Sequence, residues 1–89
     1  EKDAFGTSQH DAWRTIQRAH AIANGVYVAA VNRIGLEKTS DDAAGIEFWG
    51  GTFLCDPFGV IVAEAGPAAE EVLIAEVDRA RIEDVRRNW

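Results

Sequence analysis

Cys55 is the only thiol in the 89-residue chain, so it is the first candidate for a nucleophile. A nucleophilic cysteine requires a base within hydrogen-bond reach and a lowered pKa. Cys55 instead closes an apolar run that starts at Thr52, and a free cysteine in such surroundings usually packs as a small hydrophobic residue. We therefore expect Cys55 to be buried and chemically inert.

The two histidines are candidates for a general base or a metal ligand. His10 lies in a polar segment where a helix is expected to begin, so we expect it to be solvated. His20 shares a helical stripe with Trp13 but has no second ligand at metal spacing. A structural or interface role is therefore favoured for His20, and we expect neither a metal nor a cofactor.

Asn32 and Arg33 are candidates for substrate binding. They follow the apolar run of residues 26–31, and the binding residues of α/β sheets collect where strands end. The alternative is an asparagine that satisfies loop backbone and an arginine that pairs with an acid such as Glu37. The sequence leaves both interpretations open.

Phe48 and Trp49 are the other two candidates for substrate binding. They precede Gly50 and Gly51, and glycines allow backbone to pass close to a ligand or to another strand. The two aromatic rings are therefore interpreted as one wall of a substrate pocket. The alternative is ordinary packing in the core or in a dimer interface.

A helix that starts near Ser8 and ends at Asn24 precedes these candidates. Ser8 followed by Asp11 resembles the start of a helix, and Gly25 occupies the position of a C-cap. The face expected to pack is a stripe of small apolar residues at spacings of four, three and four: Ala12, Ile16, Ala19 and Ala23.

Four strands and a second helix are predicted after this helix. Residues 26–31 are continuously apolar, as in a strand covered on both faces. Residues 36–45 are polar and indicate an exposed loop. Residues 52–55 and 60–63 are two strands joined by the turn Asp56-Pro57-Phe58-Gly59, in which each residue type suits its position. Residues 71–77 are a fourth strand, and Asp78 is a good N-cap for a last helix that presents its arginines to solvent beside Glu83 and Asp84.

The composition excludes several classes of function. A net charge of -6 without a basic stripe argues against nucleic-acid binding, and no apolar run reaches the length that spans a membrane. A single cysteine makes a reducing, cytoplasmic location the default expectation. The chain contains no Met and starts at Glu1, so we expect it to be a piece of a longer protein. One long and one short helix also cannot cover four strands on both faces.

Three blocks resemble the C-terminal third of the nitrilase, or carbon–nitrogen hydrolase, superfamily. They are RAHAIANGVYVAAVNRIG at 18–35, IEFWGGTFLCDPFG at 46–59 and EEVLIAEVDRARIEDVRRNW at 70–89. The subgroup that they resemble most is the N-carbamoylputrescine amidohydrolases. The resemblance implies an α/β fold in which residues 1–89 are the C-terminal segment of a single domain, a four-layer αββα sandwich. The chain would supply about two helices and four strands, and the domain would form homodimers or higher homo-oligomers.

The same resemblance implies hydrolysis of a non-peptide C–N bond, with an N-carbamoyl amine as the small-molecule substrate. The catalytic Cys, Glu and Lys of the family lie upstream of the matched region, so no catalytic residue is assigned in this chain. The alternative, from another class, is a non-catalytic binding or assembly module with a nitrilase-like partial fold.

Overall fold

A computed structural model describes residues 5–41 and 44–89. Residues 1–4, the start of the polar N-terminal segment, and residues 42 and 43 of the predicted loop lie outside this part of the chain. The elements are α1 (Thr7–Asn24), β1 (Val28–Ala30), β2 (Ile34–Glu37), β3 (Ile46–Trp49), β4 (Phe53–Cys55), β5 (Ile61–Glu64) and α2 (Arg79–Asn88). The mixed helix and strand architecture is the one predicted, with five strands in the described residues where four were expected.

The ends of α1 are set by two glycines. The helix begins one residue earlier than predicted, after Gly6, and no side chain caps its first turn. Ser8 and Asp11 therefore do not form the predicted start, because both lie within the helix. The predicted C-cap is confirmed: Gly25 is left-handed, with φ 62° and ψ 43°, and its N–H donates to carbonyls of the last turn.

The face of α1 that packs on the sheet differs from the predicted one. The residues of the predicted stripe, Ala12, Ile16, Ala19 and Ala23, are all exposed. Trp13 and Ala21 point inward instead; Ala21 is fully buried, and the Trp13 ring meets Phe53 edge-on at 5.7 Å. Burying an indole removes far more apolar surface from water than burying an alanine, and this difference outweighs the regularity of the small-residue stripe.

A three-stranded antiparallel sheet in the order β1-β4-β5 carries the core. The face toward α1 holds the buried side chains Ala30, Phe53 and Cys55. The turn between β4 and β5 is the predicted one: the Gly59 N–H donates to the Asp56 carbonyl at 2.8 Å, and Gly59 has φ 74°. This hairpin is local in sequence, so its turn chemistry was sufficient to predict it.

The second sheet, β2-β3, replaces part of the predicted loop. Ile34 lies opposite Trp49 and Glu37 lies opposite Ile46 in an antiparallel register. The loop prediction over residues 36–45 was therefore wrong at its start. Strand pairing uses backbone groups, and a solvent-facing ribbon tolerates the polar side chains that indicated a loop.

Residues 26–31 and 71–77 depart from the predicted strands. The first segment is a strand only over Val28–Ala30, and Val31 is 81% exposed. In the second segment Val72 and Ile74 are 87% and 92% exposed, and residues 71–77 join neither described sheet. β-Propensity is local, whereas a ladder and a cover for the outer face require partners that the described residues do not supply.

The helix α2 docks on the turn between β4 and β5. The predicted N-cap is confirmed, since the Asp78 side chain accepts from the Ala80 N–H at 3.0 Å. Arg81 is exposed, as predicted, but its Nε also donates to Asp56 Oδ2 at 3.0 Å. Arg86 Nη2 donates to the Asn24 carbonyl at the end of α1, where a positive charge is favoured by the helix dipole.

Candidate functional site

Asn32 forms four hydrogen bonds at the exit of β1, one of which its carbonyl accepts from Thr52 Oγ1 at 3.2 Å. Its amide Nδ2 donates to the Gly50 carbonyl at 3.1 Å, and its Oδ1 accepts from the Arg33 N–H at 2.9 Å. Its backbone N–H donates to Thr52 Oγ1 at 2.9 Å. The side chain therefore fixes the segment of Gly50 and Thr52 relative to β1, the backbone role that the sequence left open for it.

Arg33 and Phe48 lie on the β2-β3 ribbon. The Arg33 guanidinium is 5.0 Å from the centre of the Phe48 ring and forms an ion pair with Glu37. The acid named as a partner from the sequence is thus the one that Arg33 contacts. Because Glu37 offsets the charge of Arg33, this part of the ribbon presents little net positive charge.

Trp49 belongs to a column of stacked rings. Its indole is parallel to the His10 imidazole, with centroids 5.1 Å apart and planes 5° apart. His10 in turn stacks on Trp13 at 5.9 Å and 16°. The prediction of a solvated His10 was wrong, because its Nε2 atom is buried. The stack attaches the first turns of α1 to the end of β3.

Two adjoining grooves open beside this column. One has a volume of about 410 Å³ and the other about 380 Å³. Both are lined by Gly51, Ala65 and Gly66. The Gly51 N–H donates to the Gly66 carbonyl at 3.3 Å, so backbone without side chains separates the two grooves. We refer to them together as the glycine-saddle groove.

Charged side chains line both halves of the glycine-saddle groove. The larger half carries His10, Arg14 and Glu64, and the Arg14 guanidinium donates to the Glu64 carboxylate at 2.7 Å. The smaller half carries Glu70 and Glu71 together with the candidate Asn32. The lining therefore holds three carboxylates and one guanidinium, a balance that favours a cationic ligand.

Of the four predicted binding residues, Asn32 lines the groove directly. Trp49 stands behind His10, and Arg33 and Phe48 lie on the adjacent ribbon. The sequence did not reveal five other residues as part of this site: His10, Arg14, Glu64, Glu70 and Glu71. The spacing of His10 and Trp13 on one helical face was the available signal, and the polar neighbours of His10 masked it.

Cys55 is fully buried, as predicted. Burial is the main cause that raises the pKa of its thiol above the ordinary value of 9.0, and the neighbouring Asp56 carboxylate acts in the same direction. A thiol that stays protonated is a poor nucleophile. Among residues 5–41 and 44–89, no group of three or more His, Cys, Asp or Glu side chains is placed to hold a metal ion. No described helix combines the length and apolar character needed to span a membrane.

The chain belongs to the carbon–nitrogen hydrolase family, whose model matches residues 5–87. The crystal structure of a carbon–nitrogen hydrolase from Helicobacter pylori G27 superimposes with a TM-score of 0.87 and 43% identity over the whole chain, which corresponds to 31% of that protein.

Three proteins with similar sequences have names that specify an activity within this family. An N-carbamoylputrescine amidase from Arabidopsis thaliana is 41% identical over 86 residues, covering 94% of this chain and 29% of the relative. A citrullinase from Francisella tularensis is 33% identical, with coverage of 97% and 32%. An omega-amidase from Mus musculus is 32% identical, with coverage of 84% and 25%. The chain thus spans about a third or less of the length of these relatives.

Proposed function

We propose that this chain is the C-terminal segment of an enzyme that hydrolyses a C–N bond of an N-carbamoyl amine such as N-carbamoylputrescine. The observation that carries the proposal is the 41% identity over 86 residues with the Arabidopsis N-carbamoylputrescine amidase. Amidases of the same name from Solanum tuberosum and Solanum lycopersicum are each 40% identical to this chain over 86 residues. The citrullinase is more distant, although citrulline also carries a ureido group.

In the proposed reaction the chemical step uses residues outside this chain. A cysteine thiolate attacks the carbamoyl carbon, a glutamate transfers protons and a lysine stabilises the developing oxyanion. The bond from the carbamoyl carbon to the amine nitrogen breaks, and the amine leaves with a proton from the glutamate. Water then hydrolyses the carbamoyl thioester to carbamate, which decays to carbon dioxide and ammonia. The segment described above contributes the sheet that carries the pocket rather than the nucleophile, in agreement with the buried Cys55.

We propose that Asn32, Arg33, Phe48 and Trp49 form the edge of the substrate pocket. Asn32 supports this because it lines the glycine-saddle groove and holds the Gly50 carbonyl in place. Phe48 and Trp49 lie next to Gly50 and Gly51, with one ring face covered by Arg33 and by His10 respectively, and we propose that their remaining aromatic surface covers the methylene chain of a diamine-like substrate. The carboxylates Glu70 and Glu71 favour the positive charge at the far end of such a substrate, whereas Glu64 is paired with Arg14.

The experiment that tests the proposal uses the complete protein that contains this chain. Release of ammonia and of the amine product is measured with N-carbamoylputrescine, citrulline and the monoamide of a dicarboxylic acid. We expect kcat/KM to be highest for N-carbamoylputrescine by about tenfold, equivalent to roughly 1.4 kcal/mol of transition-state binding. A higher kcat/KM for either of the other two compounds would contradict the assigned substrate while leaving the family intact.

The proposal includes a homo-oligomeric enzyme in the cytoplasm that acts in polyamine biosynthesis. The free, buried Cys55 is suited to a reducing compartment, and the sandwich implied by the family resemblance dimerises. Light scattering of the complete protein tests the homo-oligomeric state, and a monomer at micromolar concentration would contradict it. Fractionation of cells tests the location.

A further inference from the structure

The His10 imidazole is the part of the glycine-saddle groove that the proposed function leaves without a role. Its ring lies between the indoles of Trp13 and Trp49, at 5.9 and 5.1 Å. Its Nε2 atom is buried and has no hydrogen-bond partner among the described residues. A buried nitrogen without a partner destabilises a folded protein, so a partner from outside the described residues is expected in the working enzyme.

The Nε2 edge of His10 faces the groove across Gly51. A Cβ atom placed on Gly51 would lie 3.0 Å from Nε2, and Gly51 has a φ of +71° that favours glycine. Both residues line the larger half of the groove. The absent side chain at Gly51 therefore leaves only bare backbone between the buried Nε2 atom and the groove.

The surroundings of Nε2 favour a positively charged donor. Glu64 is paired with Arg14 in the same half of the groove, so the carboxylates without a paired guanidinium there are Glu70 and Glu71, across the glycine saddle. A neutral imidazole nitrogen accepts a hydrogen bond. An anionic group would meet the carboxylates of Glu70 and Glu71 instead.

We propose that the groove at His10 is the subsite for the far end of the substrate, where Nε2 accepts a hydrogen bond from a protonated primary amine. The inference rests on the proposed function, since it assigns the non-reacting end of an N-carbamoyl diamine. The imidazole carries its hydrogen on Nδ1 in this arrangement. His10 is a binding residue that discriminates cationic from neutral substrates and takes no part in bond cleavage.

The test compares His10→Phe with wild type in the complete protein. Phenylalanine keeps an aromatic ring between the two indoles and removes the acceptor. We expect KM for N-carbamoylputrescine to rise about tenfold, as for the loss of one hydrogen bond to a charged group, with kcat nearly unchanged. For N-carbamoylbutylamine, which lacks the amine, KM changes less than about twofold. The melting temperature without ligand stays equal or rises, because an apolar edge replaces a polar atom without a partner.

The matched control is His20→Phe, which changes the other histidine of α1 at an exposed position and leaves both KM values unchanged. His10→Gln restores a side-chain hydrogen-bonding group and is expected to recover part of the affinity for the cationic substrate. This variant replaces His10→Phe in the comparison if the phenylalanine variant does not fold. Equal KM changes for the two substrates, or none, would overturn the assignment. A lower melting temperature with equal KM changes would mean that Nε2 is bonded within the protein.

Direct binding separates this inference from the proposed function. If wild type hydrolyses neither N-carbamoyl compound, the proposed function fails. Binding of 1,4-diaminobutane, measured by calorimetry, then still tests the subsite. Binding to wild type that weakens about tenfold in His10→Phe supports the amine subsite; binding that is absent, or equal in both proteins, refutes it.

Discussion

Asp56 holds the turn between β4 and β5 together and joins it to α2. The Asp56 side chain is only 6% exposed. Its Oδ1 accepts from the N–H groups of Phe58 and Val60 at 2.9 and 3.0 Å, and its Oδ2 accepts from Arg81 Nε at 3.0 Å. We predict that replacing Asp56 destabilises the complete protein more than any comparable change at a surface acid.

The magnitude follows from the three partners of the carboxylate. Hydrogen bonds to a charged group contribute about 1.5–3 kcal/mol each, so the two amide bonds, which are only partly buried and are placed in the lower half of that range, together account for about 3–4 kcal/mol. The Arg81 side chain is 42% exposed, and solvent screening limits its ion pair to about 1 kcal/mol or less. Asp56→Ala is therefore expected to cost about 4 kcal/mol. Asp56→Asn, which keeps an oxygen for the amides, costs about 1–2 kcal/mol.

Urea unfolding of the complete protein, followed by circular dichroism, measures these differences. Arg81→Gln is the matched control and is expected to cost about 1 kcal/mol or less. Because Arg81 acts through Asp56, the double variant is expected to lose less than the sum of the two single losses. An Asp56→Ala variant within about 1 kcal/mol of wild type would refute the assignment, since an unsatisfied pair of turn amides must cost more.

Three further predictions concern the core, a close contact and the pocket. Because burial raises the pKa of Cys55, its contribution to stability is complete below about pH 9 and is lost as the pH rises through the folded-state pKa. Cys55→Ala is expected to reduce this alkaline loss of stability and to leave kcat unchanged. Covalent labelling of Cys55 by a substrate-like electrophile would contradict the prediction that the thiol is inert. Gly59→Ala is expected to lower stability by at least about 1–2 kcal/mol, because φ is +74° and the new Cβ would lie 3.0 Å from Ile22; Gly35→Ala, at φ +86° with open space, isolates the backbone part, and equal melting temperatures for the two variants would show that the contact relaxes freely. Trp49→Ala raises KM for N-carbamoylputrescine by an amount equivalent to about 1–2 kcal/mol, and raises it more than for a neutral analogue; equal KM changes with a lower melting temperature would reduce Trp49 to packing.

The local elements of this chain could be predicted from the sequence because their determinants are neighbours in the chain. The turn at Asp56 and Gly59, the left-handed cap at Gly25 and the N-cap at Asp78 each depend on a residue type at a fixed short offset. The burial of Cys55 followed from its apolar strand. The family could also be inferred, because three separate blocks occur in the expected order.

The face of α1 and the partners of the strands were decided only in the tertiary structure. The predicted buried stripe contains Ala12, whereas the observed one contains Trp13. A shift of one residue along a helix rotates the packed face by about 100°. Which stripe is buried depends on Phe53, which is 40 residues away from Trp13. Strand formation at β2 likewise required β3 as a partner. Residues 71–77 have a high β-propensity but do not pair with any strand in the described residues.

The groove at His10 also exists only because distant segments meet. His10, Gly51 and Glu64 lie in a helix, a connection and a strand, and no short-range pattern relates them. The sequence by itself determined the turns, the caps and the family, since these depend on local backbone preferences and on order along the chain. The tertiary structure decided which histidine is buried and what surrounds it, because burial and stacking are properties of side chains brought together from distant positions.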